Sequence, residues 1–236
     1  MEILKTEAEV KQMMRDKMQA FNAPTWTEKI DLGDGIWCYR NVFKPGIPER
    51  LENILADESH QYKWSPAYVG YQERMPDYRD CMDIKFKRTD IVQDPTEPSI
   101  KLQEIWQECF DAQVAAVQDY AKMYNIYQLR YWEAFNYIKY EPGHHFMEHH
   151  DNGFSYNCVV SLVGYLNDDY EGGELYFRLQ KLDIKPQAGD LYIFPSNYMY
   201  PHQAKKVHNG TKYSIVTMLD YSEKYHTPEL YRETGD

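Results

Sequence analysis

The sequence predicts a mostly β fold with supporting helices, built on a two-sheet jelly-roll core. From Ile126 onward the chain breaks into short strand-like runs separated by turns, and their count and spacing fit that architecture. Before that point, the clearest periodicities are helical, and helices of this kind need a sheet or another helix to cover their apolar side. At 236 residues and 43% hydrophobic content the chain can bury a sizeable core, and all-β folds of this size are commonly one domain.

Taken in order, Thr6-Glu7-Ala8-Glu9 has the spacing of a capping box, and Val10, Met13, Met14, Met18 and Phe21 follow at helical intervals until Pro24. The methionine stripe reads as packing surface. A half-buried strand is expected within Gly35 to Phe43. Pro48 then opens a second helix whose Leu51, Ile54 and Leu55 share a face. His60 to Ser99 is rich in proline (Pro66, Pro76, Pro95, Pro98) and in aromatics, with one candidate strand from Cys81 to Arg88. A long irregular segment of this kind is either a functional cover or a loop pinned by its aromatic packing.

Ser99 is expected to cap the strongest helix, in which Leu102, Ile105, Trp106, Cys109, Phe110, Val114, Val117, Tyr120, Ala121 and Tyr124 recur at three- and four-residue steps until Asn125. This helix should support the outer face of the larger sheet. Leu129 to Tyr140 reads as a strand, turned by Glu141-Pro142-Gly143. Asn157 to Leu166 is nearly continuous in apolar residues, as a strand buried on both faces would be. Asn167 to Gly173 is a turn, and Glu174 to Arg178, Gly189 to Phe194 and Thr211 to Leu219 are further strands. The expected organisation is a support region over residues 1–125, integral to one domain and holding the irregular segment at 60–99. The jelly-roll core covers 126–221 and a polar tail 222–236.

A net charge of −11 disfavours a nucleic-acid partner, whose binding rests on neutralising phosphates; Lys205-Lys206 is one small basic patch. No apolar run approaches the ~20 residues that cross a bilayer, so no membrane partner is expected. The first ten residues carry Glu2, Glu7 and Glu9 and no apolar signal core. Cys38, Cys81, Cys109 and Cys158 are widely spaced and read as free thiols, which points to a cytoplasmic setting. Most of the 22 tyrosines are expected in the core with the hydroxyl reaching outward.

The chemistry centres on His149-His150-Asp151. Residues two apart on a strand share a face, so His149 and Asp151 point into one space and His150 turns away. One more imidazole, from His202, would complete a two-histidine, one-carboxylate face that leaves coordination positions open. A lone His-x-Asp also reads as a polar strand end. Among the other histidines, His144 and His150 are expected exposed or behind the ligands, His145 is excluded by the turn at Pro142-Gly143, and His208 belongs to the Asn209-Gly210 turn; His226 lies in the tail.

The order of parts is more specific than any one of them. Tyr140-x-x-Gly143, His149-x-Asp151, Tyr165-Leu166-Asn167, Gly172-Gly173-Glu174-Leu175-x-Phe177, Pro186-x-x-Gly189-Asp190, Ile193-Phe194-Pro195, His202 and Lys212 follow one another. In that order the roughly 90 C-terminal residues resemble the 2-oxoglutarate- and Fe(II)-dependent dioxygenases, in their prolyl 4-hydroxylase-like branch. The resemblance implies a double-stranded β-helix with helices packed on the larger sheet. It implies Fe(II) on His149, Asp151 and His202, with 2-oxoglutarate and O2 as co-substrates and ascorbate as a candidate reductant.

It further implies Lys212 as the cation for the far carboxylate of 2-oxoglutarate, with Tyr140, and after it Tyr165, as hydrogen-bonding partners; either tyrosine could equally be a core residue. No catalytic group beyond the metal ligands is implied, and the 60–99 segment takes the place of the substrate cover. Trp64, Ser161 and Cys158 are the candidate substrate residues. Three positions depart from the family: Cys158 stands for an arginine, Ser161 for a threonine and Met218 for a tryptophan, and the first puts the prolyl substrate in question. The implied reaction is hydroxylation of an unactivated C–H, on a prolyl residue of a protein or peptide, with decarboxylation of 2-oxoglutarate to succinate. A free amino acid or small metabolite is the alternative substrate. A non-catalytic metal-binding jelly roll is the alternative from another class.

Overall fold

The computed structural model describes residues 24–57, 61–69, 73–86, 96–153 and 157–221. The expected helix at 6–21, parts of the 60–99 segment, and the tail with His226 lie outside the described residues. The support region contributes β1 (Glu28–Asp31), β2 (Trp37–Arg40), helix α1 (Ile47–Leu55), β3 (Ser65–Pro66), β4 (Arg79–Asp80), β5 (Met82–Phe86) and helix α2 (Glu97–Met123). The core strands are β6 (Tyr131–Trp132), β7 (Phe135–Tyr140), β8 (His145–His149), β9 (Val160–Tyr165), β10 (Glu171–Gly172) and β11 (Leu175–Phe177). They continue with β12 (Leu182–Ile184), β13 (Leu191–Pro195), β14 (His202–Ala204), β15 (Val207–Asn209) and β16 (Lys212–Asp220).

Two antiparallel sheets face each other. The larger runs β1-β2-β13-β9-β16-β7-β5-β3, with β6 also on β16, and the smaller runs β12-β11-β14-β8-β4. The chain crosses between the sheets from β7 to β8 to β9 and again from β12 to β13 to β14, the crossing pattern of a jelly roll, while β11 and β12 form a hairpin within the smaller sheet and β10 and β15 a separate two-stranded pair. The support strands extend both sheets. The chain passes from β4 in the smaller sheet to β5 in the larger through the single residue Cys81, closing one side of the sandwich.

Alternation along each strand of the larger sheet then decides what faces where. Phe135, Tyr137, Leu162, Leu191, Ile193 and Ile215 point outward into one core cluster with Leu51, Leu102, Ile105 and Cys109 of the helices. Trp106 stacks on Phe135 with ring centroids 5.0 Å apart. The other face of the same strands looks into the sandwich, so β9 is buried at every position. No helix among the described residues is long and apolar enough to cross a membrane.

Some element bounds differ from the sequence reading. Helix α2 begins at Glu97, not after a Ser99 cap: Thr96 is the N-cap, Pro98 sits in the first turn where its missing N–H costs nothing, and Ser99 is fully buried inside the helix. The stop at Asn125 holds, with φ at +56 in the left-handed region that asparagine tolerates. The expected strand from Leu129 is split. Trp132 pairs with Leu219 but Asn136 with Val216, so one extra residue on this side makes a bulge. His208 belongs to β15 and is exposed, not part of a turn.

Candidate active site

His149 and His202 sit opposite each other on neighbouring strands of the smaller sheet. His149 ends β8, and Asp151 follows two residues later, turned inward past an exposed His150. One ligand atom from each of His149, Asp151 and His202 lies within 4.8 Å of the others. The Nε2 of His149 is 3.5 Å from Asp151 Oδ1, and that of His202 is 3.8 Å from Oδ2.

Each ligand is oriented from behind. The Nδ1 of His149 lies 2.8 Å from the Met147 carbonyl, and that of His202 lies 3.1 Å from the Tyr200 carbonyl. An N–H held there leaves the Nε2 lone pair for a metal. Ser161 donates to Asp151 Oδ2 at 2.5 Å, with Ser196 at 2.7 Å from the same hydroxyl. Burial works against the Asp151 charge, but His202, His149 and the Ser161 hydroxyl outweigh it and hold the carboxyl well below the usual range. Burial pushes His202 down to about 4 against the pull of Asp151. A carboxylate held ionised beside two imidazoles that turn Nε2 toward it is the donor set that ferrous iron takes.

The ligands open onto a cavity of about 400 Å³ that Tyr140, Tyr165 and Lys212 also line. Lys212 and Tyr140 are paired across β16 and β7, while β9 brings Tyr165 alongside at Ser214. The Lys212 ammonium is 1% exposed, donates to the Gly173 carbonyl at 2.8 Å, and stands 4.7 Å and 5.2 Å from the ring centres of Tyr140 and Tyr165. The glycine makes this possible: a Cβ on Gly173, at φ +65, would come within 3.1 Å of the lysine stem. Burial first, and Lys185 second, lower the Lys212 pKa to about 7. Among the described lining residues this is a deep cation with an anion-sized space before it. Burial raises both tyrosine hydroxyls well above their ordinary pKa, so they remain donors.

The three candidate substrate residues do not face the cavity. Trp64 packs on the outer side of the larger sheet against Tyr213, 6.3 Å between rings, because Tyr213 alternates away from Lys212. Cys158 is buried just before β9, where its carbonyl accepts from Asn152. Ser161 is fully buried and serves the metal carboxylate instead. His145 is held by backbone carbonyls at Gly143 and Asp77, apart from the ligands. Met218, where the tryptophan was missing, does line the cavity.

Sequence reading missed the other wall. Tyr68, Val69, Tyr78 and Arg79 from the 60–99 segment form part of the mouth, and Asn136 stands beside them. Two-residue strands such as β4 carry no periodic signal, so only the pairing of Arg79 with Phe146 reveals this placement.

Residues 135–219 match the family model described as the 2OG-Fe(II) oxygenase superfamily. The chain is 24% identical over 232 residues to procollagen-lysine,2-oxoglutarate 5-dioxygenase 2 of Homo sapiens, and 27% identical to that of Mus musculus. In both cases 87% of this chain is covered, and the chain spans 28% of the length of these relatives. Among solved structures, a prolyl hydroxylase from Trichoplax adhaerens, in complex with a hypoxia inducible factor peptide fragment, superposes with a TM-score of 0.60 at 14% identity. That match covers 99% of this chain and 98% of the other. A viral collagen prolyl hydroxylase from Paramecium Bursaria Chlorella virus-1 gives 0.52 at 16% identity, over 79% and 96%. These structures share the fold. The matched segment holds all three ligands and Lys212 on the strands that bring them together, so residues 135–219 carry the likeness to the 2OG-Fe(II) oxygenase superfamily, and the chain as a whole shares its fold with prolyl hydroxylases.

Proposed function

We propose that the protein is an Fe(II)- and 2-oxoglutarate-dependent oxygenase that hydroxylates a prolyl residue in a protein or peptide. The observation that carries this reading is one cavity with a two-histidine, one-carboxylate cluster and a fully buried lysine. His149, Asp151 and His202 would hold the iron; Lys212 and the Tyr140 and Tyr165 hydroxyls would receive the far carboxylate of 2-oxoglutarate. When bound, the iron and its co-substrates supply oxidative decarboxylation of the 2-oxo acid to succinate coupled to hydroxylation of a C–H bond. The protein's own part is to orient both groups and keep bulk water out, which the buried tyrosines and Val163, Val216 and Leu175 do along the cavity. Ascorbate is retained as a reductant of the iron. The four buried free cysteines support a reducing, cytoplasmic setting.

A peptide substrate is supported by the open mouth at Tyr68, Tyr78 and Arg79 and by the peptide held in the Trichoplax adhaerens structure. A second reading, hydroxylation of a lysyl residue, is favoured by the procollagen-lysine dioxygenases to which the chain is similar over most of its length. Succinate release measured against proline-containing peptides, lysine-containing peptides and free amino acids separates them. Turnover with proline peptides supports the first reading, turnover with lysine peptides the second, and turnover with free amino acids alone ends both. Anaerobic addition of ferrous iron and 2-oxoglutarate should also give a weak visible charge-transfer band. Its absence would remove the oxygenase assignment.

A further inference from the structure

We infer that Phe146 is a positioning residue for the metal ligand His149, and that Arg79 clamps it; this rests on the iron site assigned above. Strand β8 is bulged. His149 pairs with His202 and Phe146 with Ala204, so three steps on β8 oppose two on β14. In an unbulged strand, residues three apart point to opposite faces. The bulge turns both side chains to the same side, as bulges beside active sites do. The Phe146 ring then lies on the imidazole of His149 with centroids 3.6 Å apart and planes 15° from parallel.

The imidazole is thereby fixed in two ways. The Met147 carbonyl at Nδ1 sets the rotation of the ring edge, and the flat face of Phe146 sets its plane. Phe146 is itself held, with Tyr78 edge-on at 5.7 Å and the Arg79 guanidinium carbon 5.0 Å from its ring centre. Arg79 pairs with Phe146 across β4 and β8, and its side chain is 13% exposed. It donates to the Tyr68 carbonyl at 2.8 Å and to Asp83 Oδ2 at 3.0 Å, which ties both sides of the Cys81 corner together. This partly buried ion pair holds one geometry, and that geometry ends on a metal ligand.

The test titrates the metal-free full chain with Co(II), read through its visible d–d bands. Phe146→Leu keeps apolar bulk but removes the flat face. It should weaken Co(II) binding about 10- to 100-fold, the usual cost of losing a group behind a ligand, and alter the band pattern. Phe146→Tyr should restore both. Arg79→Gln should weaken binding in the same direction by a smaller factor, with Arg79→Lys recovering part of it. The affinity for 2-oxoglutarate at saturating Co(II) should stay unchanged, since Lys212 is untouched. Thermal melting checks folding, and if Phe146→Leu fails to fold, the two Arg79 variants decide. Wild-type affinity and bands in Phe146→Leu, or in Arg79→Gln where only those variants fold, would overturn the inference. Failure of the wild type itself to bind Co(II) would overturn the iron site and this inference with it.

Discussion

Removing the Lys212 ammonium is the perturbation that bears most directly on the co-substrate site. The group is 1% exposed, and the charge its surroundings would accept is an anion in the cavity it faces. Lys212→Met keeps the length of the stem between Tyr140 and Tyr165 while deleting the charge; Lys212→Ala also empties the space. Breaking a buried charge pair costs about 3–5 kcal/mol, because the surviving charge keeps its desolvation penalty. At about 1.4 kcal/mol per decade, 2-oxoglutarate should bind roughly a hundred- to a few-thousand-fold more weakly, with iron affinity nearly unchanged. Burial brings the free Lys212 pKa to about 7, so near pH 7 about half the wild-type molecules already lack the proton, which trims the loss by only about a factor of two.

That protonation also gives a pH signature. A bound dicarboxylate favours the ammonium, so wild-type affinity should fall by up to about tenfold per unit as pH rises above about 7. In Lys212→Met that slope should vanish. Anaerobic titration of 2-oxoglutarate at saturating iron, repeated from pH 6.5 to pH 8.5 or so and followed by the charge-transfer band, measures both effects. Equal 2-oxoglutarate dependence in wild type and Lys212→Met would place the cation elsewhere and refute the site.

Further outcomes follow from the same geometry. In the metal-free protein the Lys212 pKa lies below its unfolded value of 10.5, so the unfolded state holds more protons between about 7 and 10.5. Denaturant unfolding should therefore show this contribution to stability rising with pH across that window, and the rise absent from Lys212→Met. His149→Ala or Asp151→Ala should abolish iron binding and turnover, whereas His150→Ala, exposed beside them, should keep most of both; equal iron loss in all three would refute the assigned register. Ser161→Ala deletes the hydroxyl on Asp151 Oδ2 and should lower iron affinity about 10- to 100-fold by metal titration, with Ser161→Thr largely restoring it. Gly164→Ala would place a Cβ 2.4 Å from Phe43 and 2.7 Å from Ile215. It should destabilise the fold by about 1–3 kcal/mol, read as a lower melting midpoint with the metal site intact.

The sequence alone determined the parts governed by period and by local chemistry. The nearly continuous apolar run from Asn157 to Leu166 specified a strand with two buried faces, Thr211 to Leu219 read as a further strand, and the step of α2 specified a helix with one face to cover. His149, Asp151, His202 and Lys212 were legible because each falls at a fixed place in a chain-wide order of motifs, and the structure gathers them around one cavity. What the tertiary structure alone decided depends on contacts between segments far apart in the chain. Nothing local marks Ser161 as the partner of Asp151 ten residues away and of Ser196 thirty-five residues away. Trp64 read as a substrate residue because aromatic composition says nothing about which side of a sheet a loop will cover. Arg79 and Asp83 were silent because their meaning comes from a corner that joins two sheets at Cys81: β4 is too short to show a period, and the strand read from Cys81 onward does not tell which residue Asp83 will meet. The bulge in β8 is likewise set by β14, more than fifty residues later, which fixes the register and so turns Phe146 onto His149.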